Sequence, residues 1–365
     1  MEIKQITSYL DSIAPPSYQE SYDNAGLICG NPHMLCSGII CTLDATEEVI
    51  NEAITKKCNL VVAHHPIIFG GLKKITGKTY VERAIITAIK NDIAIYAIHT
   101  NLDNIVGGVN SKMAEKLGLI NQEILLPKHN SLMKLVVFVP ESFTEKVRQS
   151  IFDAGAGNIG NYSECSFNST GVGTFKPEVG ANPVLGEIGK REQVNENKIE
   201  VIFPVFLKDA IVKAMQQAHP YEEVAYDLIP LANTLQTVGS GLIGELSESM
   251  EEIDFLDLLK NQFNLPALRH TNLLGQKIKK VALCGGAGIF LIKHALAAQA
   301  HIFITADVKY HEFFDCENKV IIADIGHWES EQFTIELLFD FLTRKYPTFA
   351  VLKSEIRTNP VFYFV

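Results

Sequence analysis

The chain contains no C-x-x-C pair, and its seven cysteines, at 29, 36, 41, 58, 165, 284 and 316, are odd in number. That argues against a disulfide framework and against thiolate ligation of zinc, and the thiols read as reduced groups of a cytosolic protein. No apolar run approaches the length of a membrane span, and the start, Met1-Glu2-Ile3-Lys4-Gln5, lacks the apolar core of a signal peptide. The expectation is a cytoplasmic protein with no membrane partner. Positive charge is also in short supply: 32 basic against 42 acidic residues leave a net charge of −10. General binding to nucleic acid or to anionic lipid is disfavoured on that ground, although Lys73, Lys74 and Lys78 could hold a phosphate locally. Tryptophan occurs once, at Trp328, a residue type that more often packs than stacks on a ligand.

What remains is the composition of a well-packed globular protein, 47% apolar over 365 residues, with a mean hydropathy of +0.11. The length exceeds the usual ceiling for one core, so two or more domains are expected. The first segment, to about residue 125, reads as alternating strands and helices. The strands are 37–44, 59–65 and 93–98, and the helices lie near 3–14, 45–57, 79–91 and 110–117. Strand–helix–strand units imply parallel pairing with right-handed crossovers. From 126 to 235 the order becomes β-α-β-β-α-β, a ferredoxin-like pattern of small-domain size. The interrupted domain resumes over 236–365, with strands at 279–284, 302–307 and 320–324, helices at 250–261, 290–300 and 328–345, and a closing strand or docking segment from 355.

One stretch organises the chain. Leu60-Val61-Val62-Ala63 is a buried-strand run that stops at His64-His65-Pro66, because proline cannot donate a ladder hydrogen bond and pushes its predecessor to an extended conformation. Two imidazoles are thereby delivered to the carboxyl end of a strand, where open α/β sheets carry their sites. Neighbouring strand residues face opposite ways, so both can serve one site only if the strand bends or two ions share it. The competing reading is a pair of loop histidines capping a sheet end. The strand 93–98 ends in His99-Thr100-Asn101-Leu102-Asp103, and His327 and Glu331 stand one helical turn apart after the strand 320–324 and Gly326. His64, His65, Asp103, His327 and Glu331 thus come from three strand ends. Imidazole with carboxylate suits zinc, manganese, iron(II), cobalt or nickel. Five such ligands exceed what one catalytic zinc needs and suit two ions sharing a bridging carboxylate.

Taken in order, the strings H-H-P, H-T-N-L-D with G-G-V-N, G-G-A-G, T-A-D-x-K-Y-H and D-I-G-H-W-x-x-E resemble the dinuclear-metal family called Nif-three-like, some members of which carry the name GTP cyclohydrolase 1 type 2. The match covers 1–125 and 236–365. The resemblance implies that His64, His65, Asp103, His327 and Glu331 bind two divalent ions per subunit, with zinc the first choice. It also implies a toroidal homohexamer and a PII/CutA-like identity for the insert, whose most recognisable string is His219-Pro220-Tyr221-Glu222-Glu223. Two departures stand out: Leu242 occupies a position where many relatives have arginine, and Thr305-Ala306-Asp307 replaces the commoner T-G-D.

The expected function is metal-dependent hydrolysis of a small nucleotide-like molecule, by a GTP cyclohydrolase-like or phosphoesterase reaction. The alternative is a non-catalytic metal-binding regulator or scaffold. Asp307 and His311 are candidates for acid/base work or for supporting the ligands, and His99 for a supporting, substrate-facing or merely structural role. Gly285-Gly286-Ala287-Gly288 is either a phosphate cradle or a tight structural turn.

Overall fold

The computed structural model describes residues 1–364. The chain divides into two compact units, Met1–Pro127 together with 236–364, and Lys128–Leu235. The first unit is a mixed α/β assembly built on two sheets. Its first sheet runs in the order Gly26–Cys29, Ala94–Ala97, Leu60–His65, Ile39–Asp44, Val351–Lys353. All neighbours in it are parallel except Gly26–Cys29, which pairs antiparallel with Ala94–Ala97. Leu60, Val61, Val62 and Ala63 are fully buried, as expected of a strand covered on both faces. Ile40, Val61 and Ile95 pack with Val49, Ile50 and Ile85 of two covering helices, Glu47–Thr55 and Tyr80–Lys90. Both helices begin on a threonine cap, Thr46 accepting from the Val49 N–H and Thr79 from the Glu82 N–H.

The second sheet of this unit runs Arg269–His270, Ile321–Asp324, Ile302–Thr305, Ile278–Leu283, Leu235–Met250, Ile120–Lys128. Its three central strands are parallel. Strand periodicity divides their side chains between two cores. Val281, Leu283, Ile302, Ile304 and Ile321 pack with Phe255, Leu259 and Phe263 on one face. Ala282, Phe303 and Ile322 pack with Leu291, Ile292 and Ala295 on the other.

The second unit follows the path β-α-β-β-α-β. Its strands, Leu132–Pro140, Ser166–Phe175, Glu192–Pro204 and Tyr226–Pro230, lie in the spatial order second, third, first, fourth, with every neighbour antiparallel. Helices Thr144–Asp153 and Lys208–Ala218 supply Val147, Ile151, Ile211 and Met215 to a core shared with Leu135, Val137, Ile199 and Phe203.

Several elements differ from the sequence expectation. The helix expected over 328–345 is two helices, His327–Glu331 and Thr334–Lys345, so Glu331 ends a short helix of its own. The helix expected over 290–300 shortens to Ile292–Ala297 behind a 3₁₀ turn. The closing strand is Val351–Lys353, upstream of the expected segment. Beyond it the described residues have no regular structure but are tied down: Thr358 donates to Asp44, and Asn359 Nδ2 to Glu329 Oε1 at 2.8 Å. Val365 lies outside the described residues. Ile120–Lys128, to which the sequence reading assigns no element, is an edge strand whose first four residues are exposed. Its buried residues, Ile124 and Leu125, are adjacent rather than alternating, so it carries no strand periodicity.

Candidate metal centre

The carboxyl ends of the parallel strands in the first unit converge on one cluster. Asp44 and His65 end adjacent strands in direct register, and the next strand leads into His99 and Asp103. From the second sheet come the turn after Leu283, Asp307 after Thr305, and His327 after Asp324.

His64 is wholly buried. Its Nδ1 is 2.9 Å from the Ile98 carbonyl oxygen, which can only accept, so Nδ1 carries the proton. Burial foremost holds the imidazole down at about 3, against the pull of Glu331. The ring is therefore neutral at pH 7, with its Nε2 lone pair pointing inward. That Nε2 has no hydrogen-bond partner, and neither has Asp103 Oδ1, 3.5 Å away. A buried lone pair facing a buried carboxylate oxygen without a proton between them is costly. Burial, and then the charge of Glu331, raise the Asp103 carboxyl well above its usual range.

His65 Nδ1 donates to Asp44 Oδ1 at 2.7 Å, and its Nε2 lies 2.8 Å from Glu331 Oε2. His327 repeats the pattern. Its Nδ1 donates to Asp307 Oδ2 at 2.6 Å, and its Nε2 is 3.3 Å from Glu331 Oε2. Glu331 Oε1 faces His64 Nε2 at 4.0 Å. Burial alone would raise the Glu331 carboxyl, but His327 and His65 pull it well below the usual value. In return, and against their own burial, His65 is lifted to about 9 and His327 to about 11.

Three imidazoles thus each have one nitrogen fixed by a carbonyl or carboxylate and the other facing the Glu331 carboxylate. Outer-shell partners of this kind orient metal-binding histidines. The donor set and the two orphaned atoms, His64 Nε2 and Asp103 Oδ1, fit divalent cations. Ligand-type atoms fall within 4.8 Å of one another in two overlapping groups, His65 with His327 and Glu331, and His64 with His65 and His99.

His99 is held from behind: its Nδ1 donates to Asp23 Oδ1 at 2.7 Å, and Asp23 Oδ2 accepts from the Thr100 N–H at 3.0 Å. Despite burial, the bonds from the His99 ring and from the Thr100 hydroxyl hold the Asp23 carboxyl down to about 2. Asp307 sits behind His327. His311 does not join the cluster; it is exposed on the 3₁₀ segment Tyr310–Cys316, its ring against Tyr310 and Phe314. Asp44 and Asp23 were not singled out from the sequence. Asp44 ends a strand beside the His65 strand, and that was its available signal. Asp23 lies in a turn and had none.

The three glycine N–H groups of the Gly285–Gly288 turn are used inside the fold. The Gly285 N–H donates to Asn110 Oδ1 and that of Gly286 to Ser330 Oγ, both at 2.9 Å. The Gly288 N–H is taken by the Gly286 carbonyl and by Thr305 Oγ1. Those donors are spent inside the fold and cannot cradle a phosphate. Gly286 has φ +60°, and a Cβ there would stand 2.4 Å from Glu331 Oε1 and 3.2 Å from His327 Cε1, so the turn forms the floor of the cluster.

Around the cluster opens a cavity of about 1250 Å³. His65, His99, Asp103, His327 and Glu331 line it, together with Tyr22, Phe69, Tyr80, Phe290, Trp328 and Tyr363. No helix among the described residues is long and apolar enough to cross a membrane.

The comparisons with known proteins agree over the whole chain. The sequence model of Duf34/NIF3 (NGG1p interacting factor 3) matches residues 1–360. The "GTP cyclohydrolase 1 type 2 homolog" of Halalkalibacterium halodurans is 45% identical over 358 residues, covering 96% of each chain. The protein of the same name from Bacillus subtilis is 37% identical over 98% of this chain and 97% of its own. Among solved structures, a Bacillus cereus protein related to NIF3 superposes with a TM-score of 0.87 at 39% identity, covering 100% of this chain and 99% of that one. The chain belongs to the Duf34/NIF3 family.

Proposed function

We propose that this protein is a dinuclear metal-dependent hydrolase acting on a small aromatic, nucleotide-like molecule. The observation that carries the reading is the pair of orphaned, buried, facing atoms, His64 Nε2 and Asp103 Oδ1, beside a carboxylate that turns one oxygen to His64 and the other to His65 and His327. His64, His65, Asp103, His327 and Glu331 would hold the ions, with Glu331 placed to be shared and zinc the first candidate. Two divalent ions supply Lewis acidity and a water made acidic enough to react near neutral pH.

The protein's own part is positioning. Asp44, Asp307 and the Ile98 carbonyl lock the three rings, the cavity orients the substrate, and His99 keeps Nε2 available while Asp23 holds its Nδ1. Asp307 is assigned to orienting His327, and His311 takes no part. The names of the relatives put GTP first among substrates to try, with phosphate esters second. The inserted unit we read as a ferredoxin-like module of PII/CutA type, on its strand path and order, and the assembly as a homohexamer.

The test is metal analysis of purified protein alongside turnover of GTP and of nucleotide monoesters, with wild type and Glu331→Ala in parallel. Product that appears with about two metals per chain and vanishes in the variant supports the reading. Two metals held with every substrate untouched turns the protein into a metal-binding regulator. Absence of metal in wild type removes the centre itself.

A further inference from the structure

The cavity carries more information than its ligands. Tyr22, Phe69, Tyr80, Phe290 and Tyr363 all line it while remaining between 39% and 68% exposed. Large aromatic faces left uncovered around one concavity are surfaces on which a flat ring gains by stacking.

Its charge is one-sided. Beyond the metal cluster the walls include Glu20, Glu47, Glu48, Asp324 and Glu329, and the only lysine or arginine side chains among the described lining residues are Arg83 and Arg269. Neither is uncommitted. Arg83 Nε donates to Glu47 Oε2 at 2.9 Å, and Arg269 pairs with Asp324 and donates to the Val308 carbonyl at 3.0 Å. The glycine turn, the other feature that could receive a phosphate, has its donors at Gly285, Gly286 and Gly288 spent within the fold. Ala287 is the one residue of the turn whose N–H is not so used, and it carries no charge, so an extended polyanion would lay its outer charges among carboxylates with no uncommitted cation but the metal centre to receive it.

We infer that the ligand is an aromatic heterocycle, neutral or cationic in its ring, that carries at most one anionic group, which then sits at the metals: a nucleoside or nucleoside monophosphate-like molecule rather than a triphosphate. This rests on the hydrolase reading only in taking the metal centre as the seat of the anionic group.

Trp328, the chain's only tryptophan, lines the same cavity, so its fluorescence reports occupancy. Zinc-loaded full-length protein is titrated with guanosine, GMP and GTP, free tryptophan serving as the inner-filter control. Guanosine and GMP are expected to half-saturate the response at concentrations about tenfold or more below GTP, with the gap narrowing as salt screens the walls. Glu47→Gln, which frees Arg83, should narrow the gap as well. Phe290→Ala, at an exposed site where folding is not at stake, should weaken guanosine by about fivefold or more. GTP binding as tightly as the others, no response to any of the three, or a gap indifferent to both salt and Glu47→Gln overturns the inference. Product release, assayed on the same samples, reports separately on the hydrolase. A protein that ranks the ligands as stated but releases nothing keeps this inference and loses that reading, and one that turns over GTP and binds it best does the reverse.

Discussion

Gly286 lies beneath Glu331 so closely that a Cβ at this glycine would come within 2.4 Å of Oε1. The left-handed backbone of Gly286, φ +60°, disfavours other residues on conformational grounds, and the contact opposes them again on steric ones. Gly286→Ala should cost about 1–2 kcal/mol from the backbone alone. It should also push the Glu331 carboxylate off its position between the histidines. Thermal unfolding reads the first effect, and metal content after dialysis against a competing chelator reads the second. Full metal content in this variant would show that Glu331 is not held by the turn.

Asp307 and Asp44 act on the cluster only through the rings they fix. Asp307→Asn and Asp44→Asn should each weaken metal binding by about 10–100-fold while leaving the fold intact. Competition with a chromophoric chelator measures this directly. His311→Ala, by contrast, should bind metal like wild type, since that imidazole is exposed against Tyr310 and Phe314.

In the metal-free protein His65, raised to about 9, and His327, raised to about 11, are both protonated at pH 7. A metal must displace those protons, so its apparent affinity rises with pH. Adding zinc to metal-free protein in weak buffer should release about two protons per chain, measurable with an indicator dye. For the metal-free fold the sign is the opposite. The stability that these two groups contribute is present in full below their ordinary value of 6.5 and is lost as pH climbs through about 9 and then about 11. Melting temperatures of the metal-free protein should fall across that window.

Phe203 is fully buried in the core of the inserted unit. Phe203→Ala should destabilise that unit by about 3–5 kcal/mol while leaving the metal content of the chain unchanged, because no candidate ligand lies within Lys128–Leu235. Loss of metal together with the unit would contradict this independence.

Much of the candidate centre was legible in the sequence because it gathers imidazoles and carboxylates where strands stop. Leu60 to His65 shows this best: an uninterrupted apolar run names the strand, Pro66 names its end, and the two histidines name what the end is for. The supporting residues were less visible. Asp44 reaches His65 only because two strands lie in one register, and Asp23 reaches His99 from a turn, so neither link has a periodicity to betray it. The break that gives Glu331 a helix of its own likewise lies inside a continuous helical pattern. The Gly285–Gly288 turn could be read as a phosphate cradle or as a structural turn. Ser330, Asn110 and Thr305 favour the structural turn by taking up the N–H groups of its three glycines, and those partners lie far from the turn in sequence.

His65 and Glu331 meet across 266 positions of sequence, with the whole inserted unit threaded between them. A chain emerging from the ribosome would carry His64, His65 and Asp103 for most of its synthesis without the helix that completes the cluster. Until then two adjacent imidazoles and a carboxylate can hold an ion only loosely. Tight loading of a metal would therefore wait until Glu331 has been made and folded against the strands, and any shortened product that ends before Glu331 would be recognisable by what it fails to retain.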